Sequence, residues 1–275
     1  LAVPFKRAHY FILLLIVAAG FAFWRDYFST LSSAPYAWHL HGITASLWLA
    51  VLALQGWSIS VRRVPLHRAV GKASLGLFPL FFAGGGAVVW TMAKARPGDI
   101  FYEIYGARLG TVDIAADVAV AYLFYHALRD RRIVQLHARY MLATSLFLIT
   151  PTVGRLFTHF MPGLMMRGPQ DFYLFAYSTH LANLVAIGIS AWLYREAPRH
   201  GRPFLIAAVV MVAQSALFET IGRTEAWRAL FVRIGAVHEL GWILAALLVG
   251  AAVTWLGWTA GRPPVRKPTV LAEAA

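Results

Sequence analysis

Cysteine is absent from this 275-residue chain. That absence excludes disulfides, iron–sulfur clusters, thiolate zinc sites and cysteine nucleophiles together. Charge is scarce as well. Only 13% of the residues are charged, against ~25% in a soluble domain. No polar stretch is long enough to build a separate soluble domain. Lysine occurs at Lys6, Lys72, Lys94 and Lys267 alone, never in the middle of an apolar run. A Schiff-base lysine buried in the membrane is therefore excluded. No glycine-rich loop ends in Lys-Ser/Thr, and no Gly-x-Ser-x-Gly elbow occurs, so a phosphate cradle and a hydrolase nucleophile go too.

What is present is apolar: 59% of the chain. A spanning helix needs roughly 20 mostly apolar residues, and about eight stretches qualify: 9–24, 37–60, 69–93, 108–128, 135–160, 172–194, 203–222 and 235–259. The first follows Lys6 and Arg7 but is trailed by Arg25, Asp26 and Tyr27 rather than by a small-x-small cleavage site. It reads as a retained helix, not a leader. The expected fold is an all-α integral membrane bundle, a single domain over 1–275 with a cytoplasmic tail from 261 to 275. With the N-terminus inside, sixteen Lys and Arg fall in inner segments and eight in outer ones, which places both termini in the cytoplasm.

The net charge is +13, but the basic residues punctuate the gaps between apolar runs instead of gathering on one soluble face. Nucleic acid is not an expected partner. Membrane lipids are, with anionic headgroups at the cytoplasmic face, alongside membrane-protein partners or further copies of the chain. Two basic corners resemble each other, Arg62-Arg63-Val-Pro-Leu-His67-Arg68 and Arg131-Arg132-Ile-Val-Gln-Leu-His137-Ala-Arg139, and a third basic turn spans 198–203. Asp99–Tyr105 reads as an aromatic interfacial belt. Residues 223–236 read as an amphipathic surface segment or the tilted start of the last helix.

Ionisable residues inside lipid-facing helices are rare and mark pathways, sites or buried pairs. Here Asp113, Asp117, Arg155, His159, His180, Glu219 and His238 lie in or at the ends of apolar runs, and His39 and His41 open the second. Depth counting at ~1.5 Å per residue brings them to one band in the outer half. Asp113 and Asp117 are four residues apart, so they share a helix face. Three readings stay open. Histidines from facing helices suit haem b, with His41/His159 or His180/His238 as axial pairs outside and His67, His126 and His137 inside. His39, His41 and His180 with the acids suit a transition metal. The Asp–Asp–Arg–His–Glu set suits proton-coupled carriage of a small solute or lipid, helped by Pro79, Pro151 and Gly84-Gly85-Gly86. A non-catalytic accessory subunit is the alternative without a site. Redox chemistry on haem or metal is the first expectation, and Arg155 is expected to pair with Asp113 or Asp117.

His39-Leu-His41-Gly42, Leu66-His67-Arg68-x-x-Gly71, Leu136-His137-Ala-Arg139-Tyr-Met141 and Pro151-Thr-Val-Gly-Arg155 together resemble a family of uncharacterised bacterial multi-pass membrane proteins. The likeness runs over roughly residues 35–260 and departs at Ala138, where that pattern has a basic residue. The resemblance implies the bacterial inner membrane and gives weight to His41, His67, His137 and Arg155; Arg68 and Arg139 stand with His67 and His137 in the cytoplasmic corners. The family carries no established activity.

Overall fold

The computed structural model describes residues 5–94 and 98–261. All its regular elements are helical: α1 (Ala8–Ala22), α2 (Tyr36–Ser60), α3 (Val64–Lys94), α4 (Ile100–Arg129), α5 (Val134–Thr144), α6 (Ile149–Phe160), α7 (Leu174–Glu196), α8 (Arg202–Glu219), α9 (Glu225–Ala236) and α10 (Glu239–Ala260), with short 3-10 turns between. Seven spans among the described residues are long and apolar enough to cross a membrane. They are α2, α3, α4, α5 with α6, α7, α8 with its 3-10 extension, and α10. The expected eighth is α1, apolar but only 15 residues long. The expected tail beyond Gly261 lies outside the described residues.

The bundle has two ends. One carries Arg62, Arg63 and Arg68, then Arg129, Arg131 and Arg132, then Arg195, Arg199 and Arg202, and is called the basic end here. The other carries the α1–α2, α3–α4, α6–α7 and α8–α10 connections. Segments expected between the spanning stretches are partly helical. The first basic corner runs into α3, which begins at Val64, and the Asp99–Tyr105 belt opens α4, capped by Asp99 accepting from the Tyr102 amide. Residues 225–236 form a helix of their own, closed before α10 by Val237 and His238.

Lipid tails are as apolar as leucine, so spanning helices associate through close packing and hydrogen bonds. Small residues supply that closeness here. A methyl added at Gly250 of α10 would stand 2.9 Å from the Pro79 Cα of α3, and one at Gly257 would stand 2.9 Å from the Tyr125 carbonyl of α4. A methyl added at Gly235 would stand 2.5 Å from the Ala93 carbonyl oxygen, so the bare glycine lets α9 seat against α3. Trp242 donates to the Gly86 carbonyl at 2.8 Å, and Trp90 to the Val237 carbonyl at 2.9 Å, which pins the α9–α10 linker to α3. Between α5 and α6 the helix tightens to 3-10 geometry over Ser145–Leu148. Pro151 explains it, because it has no N–H to offer the Phe147 carbonyl.

The main core is aromatic. Trp48 of α2 stacks on Phe81 of α3 at 5.5 Å, Phe78 of α3 stacks on Phe124 of α4 at 3.9 Å, and Trp48 meets Phe78 and Phe124 edge-on. The Trp48 indole donates to Thr144 at 3.1 Å, so α5 is tied to the same cluster. Trp48, Phe78 and Phe124 are fully buried.

Candidate functional site

Asp117 projects from the face of α4 that meets α3, and Asp113, one turn earlier, shares that face. Gly85 makes the approach possible: a methyl there would stand 2.6 Å from Asp117 Oδ1. Both carboxyls are partly accessible though they sit well inside a 30-residue helix. Neither accepts a hydrogen bond from any side chain or backbone group among the described residues. A carboxylate in a low-dielectric interior is costly unless paired, hydrogen-bonded or protonated. These two groups are therefore poorly reconciled with an apolar interior.

Arg155 of α6 supplies the nearby positive charge. Its field reaches His41, Asp113 and Tyr102. Its direct ion pair is with Asp26 instead, Nε to Oδ2 at 3.3 Å, and its guanidinium lies 4.2 Å over the Phe23 ring. His159, one turn further along α6, also meets Asp26, Nε2 to Oδ1 at 3.2 Å. Asp26 stands in the α1–α2 connection and is 43% exposed, so this contact closes the opposite end while staying within reach of solvent. The next residue, Tyr27, shares a 2.9 Å hydrogen bond with His39 Nδ1. Burial pushes the Tyr27 phenol above its usual range, so it keeps its proton.

His41 opens α2 beside Gly84, whose missing side chain lets the His41 backbone come within 2.9 Å of where a methyl would stand. Its ring stacks on Phe81 at 6.3 Å. The Nδ1 atoms of His41 and of His159 are buried with no hydrogen-bond partner. Trp48 lies seven residues beyond His41 and Phe124 seven beyond Asp117, each ~10 Å further toward the basic end. The polar layer thus rests on an aromatic floor.

The other expected site residues fall elsewhere. His180 of α7 and Glu219 of α8 join a separate network. His180 Nε2 meets Glu219 Oε1 at 2.8 Å, Arg108 Nη2 meets it at 2.6 Å, and Arg223 Nη2 meets Oε2 at 2.6 Å. Arg108 also lies 4.0 Å over Phe218, so α4, α7 and α8 are locked by one carboxylate. His238 is exposed at the start of α10. Asn183, beside His180 on α7, stitches α6, α7 and α8 through Thr150, Ser215 and the Met211 carbonyl. Of the residues expected at the basic end, His137 Nδ1 is bonded to the Ala127 carbonyl at 2.8 Å. Gln55 donates to the His67 carbonyl at 3.1 Å. Arg139 lies 4.9 Å over Phe5, while Arg68 stands on the opening turns of α3.

Among the described residues no group of three or more His, Asp or Glu is placed to hold a metal ion. The expected metal set of His39, His41 and His180 divides accordingly: His39 is tied to Tyr27 and His180 to Glu219. No protein family matches the chain, and neither does any curated protein or solved structure.

Proposed function

We propose that this polytopic membrane protein carries protons across the bilayer, alone or coupled to a small solute, with Asp113 and Asp117 as the proton-carrying pair. The unpaired state of the two carboxyls carries the reading. A structural ion pair would have satisfied them; a group that must load and unload a proton has to be left available. Arg155 then sets the balance of charge in the layer. Asp26 and His159 form the link to solvent at the opposite end, and the aromatic floor blocks passage to the basic end, which faces the cytoplasm in this reading. In proteoliposomes enclosing a pH-sensitive dye, an imposed proton gradient should collapse faster with the protein than without it. Asp117→Asn should abolish that difference. A variant as active as the parent would sink the proposal.

One observation favours a second reading. His41 and His159 each keep a buried, unpartnered ring nitrogen, and free imidazole nitrogens are what haem iron binds. A Soret band in the purified protein that shifts on reduction, and that disappears in His41→Ala, would replace carriage with redox chemistry.

A further inference from the structure

The face of α4 opposite Asp113 and Asp117 borders a different feature. Residues of α4 and α8 line a groove of about 630 Å³ between the two helices. Ala115 and Val118 form one wall and Val210 and Ala213 the other. Gln214, next to Ala213, ties α8 to α4 by donating to the Val112 carbonyl at 2.8 Å. Trp227 of α9, anchored through its indole to the Ala107 carbonyl at 2.7 Å, shuts the end away from the basic face. Val118 is 64% exposed, so the groove opens sideways, where lipid surrounds the bundle.

The mouth at the basic end is chemically different. Arg202 and Tyr122 line it, with Arg202 Nη2 3.4 Å from the Tyr122 hydroxyl. Arg202 is exposed, and no carboxylate pairs with it among the described residues. We infer that this groove is a binding site for one anionic phospholipid of the leaflet on the basic side, its acyl chain between α4 and α8 and its phosphate on Arg202. Small apolar walls suit a chain and reject a polar ligand. The unpaired guanidinium suits a phosphate. A second copy of this chain fits poorly, because it would bring its own arginines to the same level.

Native mass spectrometry of the full chain in detergent tests this, with phosphatidylglycerol and phosphatidylcholine of identical acyl chains added in equal amounts. Phosphatidylglycerol should be retained preferentially, and Arg202→Gln should cut that preference about fivefold. Ala213→Phe, which fills the slot from an exposed position, should lose both lipids while remaining monodisperse. Arg195→Gln, at the same end but outside the groove, should behave as the parent. Equal retention of the two lipids overturns the inference. So does an Arg202→Gln variant that matches the parent, or an Arg195→Gln variant that loses as much, since attraction would then be diffuse surface charge. A stable dimer that excludes lipid would overturn it as well.

Discussion

The two carboxyls on α4 hold their positions at a cost to stability, and that has a measurable signature. Asp117→Asn replaces a carboxyl that accepts no hydrogen bond from its neighbours, so its unfolding temperature in detergent should equal or exceed the parent's while proton movement is lost. Loss of both together would mark Asp117 as a packing residue instead. Asp26→Asn breaks an exposed contact and should change stability by no more than ~1 kcal/mol. It should nonetheless slow proton uptake from the opposite end, which stopped-flow dye measurements can read. The pairing on one face of Asp113 and Asp117 was legible from their spacing. The direct partner of Arg155 was expected on α4 and stands in the α1–α2 connection. A signal for it existed: Asp26 is the one acid in the first 98 residues, amid many arginines. The separation of His180 and Glu219 from His41 was not legible, because counting along helices yields depth and says nothing of which way around the bundle each helix faces.

At the scale of the helix, glycine positions govern the packing. Gly235→Ala would drive a methyl into the Ala93 backbone, which has no flexible end to yield. It should destabilise the protein by about 1–3 kcal/mol, with α9 the first part to become protease-sensitive. Gly85→Ala meets a carboxylate that can swing aside, so it should disturb proton movement more than melting temperature. The glycine run was readable as a place of close approach, and Pro151 as a point of irregularity. That α9 would be a separate helix wedged on α3 and α4 was not, since its apolar stripe suits a lipid surface equally well. The first basic corner misled in part: Arg62 and Arg63 do precede α3, but His67 and Arg68 belong to its opening turns, and polar residues there look, in sequence, like the loop before the helix.

For the whole molecule, the lack of cysteine provides a clean background for labelling. Single substitutions Ser33→Cys and Arg199→Cys sit at opposite ends of the bundle. With an impermeant maleimide on sealed vesicles, only one of the two should react from a given side. Labelling of both from one side would break the topology. The fold class was legible because lipid leaves the backbone no alternative to helices or closed barrels, and the apolar runs are too long for barrel strands. The number of crossings was less so, because α1 is apolar but only 15 residues long.

Gly84, Gly85 and Gly86 face α2, α4 and α10 in turn. One helix therefore occupies three seams that admit no side chain. Sliding α3 lengthwise by a single turn would push Phe81 and Phe82, or Val89 and Trp90, into slots cut for hydrogen atoms. Ratcheting is thereby forbidden, and whatever rearrangement exposes the carboxyls to the other side must swing neighbouring helices about α3 as a fixed axle.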